Sequence, residues 1–239
     1  MLVTLLLLSA ALYISQVEDA TPLDSPRTND IIGVCKLGTT QAVTSALANI
    51  STGGNINILT DDLNTFKALL IHHSYEALVS LDFNLINVSS YQDGVWISWG
   101  QNGEGISGAC VDFAVNSSGI SSTVSSGYSV NVTTALEISG HYTTINGSFK
   151  QATLTCNVLN EGKPALARNM SIYYEDDGSL ESENWVSVQS PNLTENRNGT
   201  YLISFTAQTL TPDDPLVVSV HCWDLRSIFV QANCTCVQT

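Results

Sequence analysis

The chain has 239 residues, of which 13% are charged, and its 22 acidic against 8 basic side chains give a net charge of −14. That length is enough for two domains of ordinary size. Because a strongly acidic surface repels phosphate groups, we expect neither nucleic acid nor an anionic membrane surface as a partner. The simplest role of the charge is to keep the protein in solution.

The chain begins with an apolar run, MLVTLLLLSAALYI, which has the length of a signal-peptide core and is too short to span a bilayer comfortably. We therefore expect a signal peptide at residues 1–20, cleaved between Ser15 and Ala20. A buried N-terminal helix is the alternative. No later stretch approaches twenty apolar residues, so the sequence predicts a secreted, extracellular protein without a membrane anchor.

Nine N-x-S/T sequons are spread along the chain. Glycans are bulky and must point into solvent, so these asparagines should mark turns and the outward faces of strands. The predicted glycosylation sites are Asn49, Asn87, Asn116, Asn131, Asn146, Asn169, Asn192, Asn198 and Asn233.

The cysteine count is an even six, which in an oxidising compartment predicts disulfides rather than a metal site. Only Cys234 and Cys236 are close in sequence, and neither a C-x-x-C motif nor a nearby histidine supports zinc. For this pair a strained internal bridge, a disulfide-linked homodimer and a bond to a partner protein all remain open. The other four cysteines are Cys35, Cys110, Cys156 and Cys222.

Short alternating runs, broken by Gly, Asn, Asp and Ser, predict an all-β protein built of sandwiches. One segment, Asp61–Ala77, has helical spacing instead. Alternation ends at Tyr128–Thr133 and begins again at Glu137, so we expect a boundary at residues 130–140, with domains at 21–134 and 135–239. The clearest strand patterns are Gln151–Val158, Ser171–Tyr174, Thr200–Leu210 and Leu216–Cys222.

Three segments of the C-terminal half, QATLTC (151–156), NGTYLISFTAQTL (198–210) and LVVSVHCWD (216–224), match one family pattern. They resemble strands B, E and F of a constant-type domain of the immunoglobulin superfamily. The family bridges strands B and F through the core, so the resemblance implies a Cys156–Cys222 disulfide. The family's strand-C tryptophan is absent, and Val220 stands where its tyrosine corner would be.

The stretch LDFNLINVSSYQDGVWISW (81–99) is similar to the E–F region of a variable-type domain of the same superfamily. The family has a cysteine where Ser98 stands and a tyrosine where Trp96 stands. The resemblance therefore implies that the core disulfide is lost and that Trp96 fills its space. Cys35, in a first strand, would then pair with Cys110 at the sandwich edge. The alternative is that these two form a displaced core pair.

Two tandem immunoglobulin-like sandwiches, variable-like and then constant-like, resemble the ectodomains of leukocyte ligands and adhesion molecules. The resemblance implies a secreted immune modulator, decoy or adhesion ligand, of host or viral origin, that binds a leukocyte-surface or soluble immune protein. A structural or coat glycoprotein with a glycan-shielded surface is the alternative. Because the tract 95–110 lacks sequons, the expected binding residues are Trp99, Gln101 and Asn102.

The sequence predicts no enzyme activity, no metal and no cofactor. Ser107, in GEGISGAC, lacks the second glycine of a nucleophile elbow. His72 and His73 are consecutive and would point in two directions on an extended chain. The acidic run 175–177 is better explained as a solvated hairpin tip than as calcium ligands.

Overall fold

The computed structural model describes residues 25–73, 79–118, 123–177, 184–196 and 198–239. Most of these residues are in strands, which form two sheets that are antiparallel apart from one short parallel pair. The predicted all-β class is confirmed at this coarse level. Among the described residues the chain divides into two compact units, one with residues up to 96 and 109–132, the other with 97–108 and 133–239.

Two helices belong to the first unit, α1 (Ser25–Ser51) and α2 (Ile58–His73). The helix predicted from residue 61 onward is confirmed as α2, which begins three residues earlier. It buries one apolar stripe with helical spacing, formed by Leu59, Leu63, Phe66 and Leu70. Helix α1 was not predicted from the sequence.

Cys35 lies in α1 and is fully buried, so its predicted place in a first strand is wrong. Helix α1 is rich in threonine, which usually favours strands and turns. Here the hydroxyls of Thr39, Thr40 and Thr44 each donate to the carbonyl oxygen four residues earlier. These bonds satisfy the hydroxyl groups within the helix, so the threonines are accommodated in α1.

The strands begin with β1 (Val79–Leu85), β2 (Val95–Trp99), β3 (Glu104–Ser118) and β4 (Thr123–Asn146). Strand β1 pairs antiparallel with β3, from Val79 opposite Ser117 to Leu85 opposite Val111. Strand β4 runs without a break through residues 133–137, so the expected change of strand there is wrong. The domain ranges 21–134 and 135–239 stay predictions.

Strand β2 buries Val95, whereas Trp96 is half-buried and meets Tyr91 edge to face at 5.7 Å between ring centroids. Ser98 is exposed. The expectation that Trp96 fills a core position is therefore wrong, because alternation places Val95 inward and Trp96 on the other side.

Two sheets contribute to the second unit: a nine-stranded sheet, through its part β4-β5-β10-β9, and a four-stranded sheet with the order β12-β11-β7-β8. Their alternating strands bury a shared core that includes Leu154, Ile203 and Val218. The short parallel pair joins β13 to β4. The remaining strands are β5 (Phe149–Asn160), β6 (Lys163–Pro164), β7 (Ala167–Glu175), β8 (Trp185–Ser187), β9 (Asn192–Glu195), β10 (Thr200–Gln208), β11 (Val217–Asp224), β12 (Phe229–Thr235) and β13 (Val237–Gln238).

Four cysteines, Cys156, Cys222, Cys234 and Cys236, are buried in this one core. Burial raises the pKa of the Cys222 thiol to about 12. All six thiols of the chain, including those of Cys35 and Cys110, are unbridged in the structure. The disulfides stay predictions, and a bond from Cys234 or Cys236 to another chain would require a thiol to leave the core.

Candidate functional site

The outer face of the sheet β12-β11-β7 carries three rows of side chains. Core residues such as Val220 and Cys222 alternate with these outward-facing positions on β11. Residues paired across antiparallel strands lie on the same face, so the strand register places neighbours side by side. The rows are Asn169–Trp223–Phe229, Ser171–His221–Gln231 and Tyr173–Ser219–Asn233.

Aromatic rings on this face form a connected set around Phe229. Its ring centroid lies 5.1 Å from that of Trp99, 4.8 Å from that of Trp223 and 5.5 Å from that of His221. His221 in turn lies 4.7 Å from Tyr173. Because each ring is held by at least one other, this set has few alternative side-chain conformations. We call these five residues the aromatic face.

Trp99 is fixed by a relay of hydrogen bonds. Its indole Nε1–H donates to the Ser107 hydroxyl at 3.2 Å, and that hydroxyl donates to the Phe229 carbonyl oxygen at 2.6 Å. Ser107 is fully buried, while 38% of Trp99 is exposed. Ser107 therefore serves as a structural link, and Trp99 presents part of its indole to solvent.

The loop at residues 100–103 lies beside the aromatic face and carries the two other predicted binding residues, Gln101 and Asn102, which are exposed. Its backbone is anchored to β12 from both sides. The Gly103 N–H donates to the Asn233 carbonyl oxygen at 2.8 Å, and the Asn233 N–H donates to the Gly100 carbonyl oxygen at 3.0 Å. The loop is thus held in place.

Glycine is required at two positions of this segment. Gly103 has a φ of +89°, and a Cβ there would lie 2.4 Å from the Ile138 carbonyl oxygen. A Cβ at Gly105 would lie 2.0 Å from the Gln231 carbonyl oxygen. Only residues without a side chain allow the segment to approach β4 and β12 this closely.

None of the nine side chains in the three rows carries a full charge at neutral pH. Burial lowers the pKa of the half-buried His221 below its ordinary value of 6.5, so its imidazole is neutral there. The Gln231 amide donates to the Ser219 hydroxyl at 3.3 Å and to the Asn233 side-chain oxygen at 3.2 Å. In a chain with a net charge of −14, this is an uncharged, aromatic and hydrogen-bonding surface.

The structure brings Trp99, Gln101 and Asn102 together, but the larger part of the aromatic face was not predicted from the sequence. The sequence did contain a signal for His221 and Trp223. Both flank Cys222 on a strand, so they must face away from a core that contains the Cys222 side chain. The sequon at Asn233 also adjoins the loop 100–103. A tract that lacks sequons in sequence is therefore not remote from them in space.

All nine sequon asparagines lie at exposed or half-buried positions, as attachment of a glycan requires. Two of them, Asn169 and Asn233, occupy diagonally opposite corners of the three rows. A third, Asn192, is exposed on β9 in the other sheet of the second unit.

The carboxylate oxygens of Glu175, Asp176 and Asp177 lie within 4.8 Å of one another at the end of β7. Among the described residues this is the one group of three ligand-type side chains close enough to share a cation. Gly178, on which the predicted hairpin tip depends, and the side chains of His72 and His73 lie outside the described residues.

No protein-family model matches the chain, and no curated protein is significantly similar to it. In the described part of the chain, neither helix has the length and apolar character needed to cross a membrane. The geometry of the second unit is therefore the basis for a functional assignment.

Proposed function

We propose that this protein is a secreted glycoprotein that binds a cell-surface or soluble protein through the aromatic face and the loop 100–103. The observation that carries the proposal is the ring network around Phe229, which exposes Trp99 beside Gln101 and Asn102. Aromatic residues without charged neighbours are typical of interface centres, and pre-positioned tryptophans are frequent hot spots. Exposed amides at the edge suit the polar rim of such an interface.

The second unit, in this proposal, is an immunoglobulin-like sandwich of constant type. Its strand orders β4-β5-β10-β9 and β12-β11-β7 correspond to the family's sheets A-B-E-D and G-F-C, with β8 in the position of an added C′ strand. Cys156 on β5 and Cys222 on β11 occupy the family's bridged strands. Because the first unit contains the helices α1 and α2, its assignment as a variable-type domain has no comparable support.

Secretion is supported by three independent features of the chain. These are the apolar N-terminal run, the even number of cysteines and the solvent-accessible position of every sequon asparagine. The proposed activity is immune modulation, decoy binding or adhesion, following the resemblance to leukocyte-ligand ectodomains.

One observation favours a glycan-shielded structural or coat glycoprotein as the second candidate. Sequons lie on both sheets of the second unit, at Asn169 and Asn233 on one and at Asn192 on the other. A coat protein would use glycans on both faces as a shield, whereas a binding protein requires one accessible face.

Added glycans distinguish the two functions. Glu104→Thr creates a sequon at Asn102, on the loop beside the aromatic face, and Ser204→Asn creates one on β10 in the other sheet. Tagged protein secreted from cultured cells is tested for saturable binding to intact leukocytes by flow cytometry, and bound proteins are identified by surface cross-linking and mass spectrometry.

For a binding protein we expect Glu104→Thr to abolish a saturable signal that Ser204→Asn preserves. Both variants must first be shown to carry the added glycan and to unfold at the wild-type temperature. Saturable binding that survives a glycan at Asn102 contradicts the proposed surface. Absence of saturable binding by the wild type favours the coat protein.

A further inference from the structure

We propose that Asn169 carries an N-linked glycan whose first N-acetylglucosamine packs against the indole of Trp223. The glycan would then form one corner of the aromatic face. This inference rests on the proposed secretion of the protein, but it concerns a contact within the protein and not the partner.

The strand register supports this contact. Asn169 on β7 and Trp223 on β11 are directly opposite each other and share the outer face. Directly opposite residues have Cβ atoms about 4.5–5.5 Å apart, a separation that an asparagine-linked sugar spans. Trp223 is half-buried and Asn169 is exposed, so part of the Trp223 side chain is accessible to a group attached to Asn169.

The side chain of Asn169 is already oriented. Its oxygen accepts a hydrogen bond from the Met170 N–H at 2.9 Å, which fixes the amide and leaves Nδ2 as the free end. Ser171, whose hydroxyl completes the sequon, is half-buried on the same face. A new bond joins Nδ2 to the anomeric carbon of a lipid-diphosphate-linked oligosaccharide, the carbon–phosphate oxygen bond breaks, and Nδ2 loses one proton as the lipid diphosphate leaves.

Trp223 is a suitable platform for a sugar. One face of a pyranose ring presents C–H groups, whose positive edges are attracted to the negative face of an indole. The contact with Phe229 at 4.8 Å between centroids holds the indole in place before any sugar arrives. A sugar over Trp223 would leave the Trp99 side of the aromatic face as the side open to a partner.

Two other sequons, one on each sheet, supply controls, because their cross-strand neighbours have no ring. Asn233 is opposite Ser219, and Asn192 on β9 is opposite Ser204 on β10. A glycan at Asn192 is expected to project into solvent without a platform. The Asn169 glycan alone in this comparison should therefore be coupled to an aromatic side chain.

The experiment uses the full chain secreted from cultured cells that add high-mannose glycans. Peptide mass spectrometry first measures occupancy at Asn169, and an endoglycosidase then trims every glycan to its first sugar. In this trimmed state we expect Asn169→Gln to lower the unfolding midpoint by about 2–4 °C and Asn192→Gln to leave it unchanged. In a Trp223→Leu background, Asn169→Gln should no longer shift the midpoint.

A second measurement requires no variant of Trp223. Stacking on an indole shifts the proton resonances of the sugar attached to Asn169 upfield, relative to those of the sugar attached to Asn192. An unoccupied Asn169, or equal resonances and equal midpoint shifts for the two sites, overturns the inference while leaving the proposed function in place. Retention of the chain inside the cell, with no glycan on any of the nine sequons, would overturn the inference and also count against secretion itself.

Discussion

The Trp99 indole meets the Phe229 ring edge to face, with 5.1 Å between centroids and an angle of 88° between planes. The two residues come from strands β2 and β12, which are far apart in sequence. Their contact places an exposed tryptophan on a fixed support rather than on a mobile loop. This relationship is the reason why we place the binding energy at Trp99.

Replacing Trp99 should therefore weaken binding more than folding. We expect Trp99→Ala to reduce the affinity for a leukocyte partner by about 2 kcal/mol or more, because the mutation removes a pre-positioned ring from the interface. Titration of intact cells gives the affinity, and circular dichroism checks the fold. Leu202→Ala is the matched control, since Leu202 is 41% exposed on the other sheet. Equal affinity of the two variants would contradict the prediction.

Gly105 should not accept even one added methyl group. Its Cβ would lie 2.0 Å from the Gln231 carbonyl oxygen, so we expect Gly105→Ala to lower the free energy of unfolding by about 1–3 kcal/mol. Gly127→Ala is the control, because its Cβ would lie at an ordinary 3.7 Å from the Phe113 oxygen. Denaturant titration measures both. If both variants had wild-type stability, the close approach of residue 105 to β12 would be incorrect.

The ion pair between Arg226 and the fully buried Asp224 should contribute more to the free energy of unfolding than an exposed ion pair of similar length. The Arg226 Nε lies 2.7 Å from the Asp224 Oδ2, and removing the guanidinium leaves a buried carboxylate without its counter-charge. We expect Arg226→Gln to cost about 3 kcal/mol of unfolding free energy. Lys67→Gln, which removes an exposed pair of 2.8 Å with Asp82, should cost less than about 1 kcal/mol. Similar costs would refute this ranking.

Secretion should depend on Cys156 and not on Ser98. Cys156 is fully buried among three other cysteines, whereas Ser98 is exposed. If the proposed Cys156–Cys222 bridge forms, Cys156→Ser loses a cross-link worth roughly 4 kcal/mol and should be retained inside the cell. Ser98→Ala should be secreted normally. Immunoblots of medium and cell extract test the pair, and equal secretion of both variants would count against the bridge.

Stability should decline between neutral and acidic pH because of His221. Burial holds its folded-state pKa below the 6.5 of the unfolded chain, so the unfolded state takes up the proton first as the pH falls. The stabilisation is complete above about pH 6.5 and is lost below it. We expect unfolding free energies at pH 7.5 and pH 5 to differ less in His221→Gln than in the wild type. An unchanged difference would show that His221 is not responsible.

Structural features that follow from the alternation of apolar and polar residues were predictable from the sequence. Few of the features that depend on contacts between distant segments were. The strands around Cys156 and Cys222 were recognisable because apolar residues recur at every second position. Helix α1 was missed because its buried residues include small ones such as Ala42 and Ala46, whose pattern is weak. The alternation around residue 135 was interpreted as two strands, although β4 is continuous there.

The candidate site was predictable only in part. Trp99 is exposed as expected, but the alternation of β2 does not explain this, because Trp99 shares a strand face with the buried Val95. The contact of Trp99 with Phe229 depends on the pairing of segments that no local pattern specifies. The backbone bonds between the loop 100–103 and Asn233 likewise come from tertiary structure. A sequence shows which residues share a strand face, and only the register shows which strands lie next to each other.

The four cysteines of the shared core also constrain the order in which the second unit can be completed. Cys156 precedes its three neighbours in the chain, and all of those lie between residues 222 and 236. During synthesis the thiol of Cys156 is therefore present long before β11 and β12 exist. Its burial must wait for contacts distant in sequence, which form slowly. In an oxidising compartment, the nascent chain that displays the thiols of Cys35, Cys110 and Cys156 before Cys222 is made would be the stage most vulnerable to a wrong cross-link.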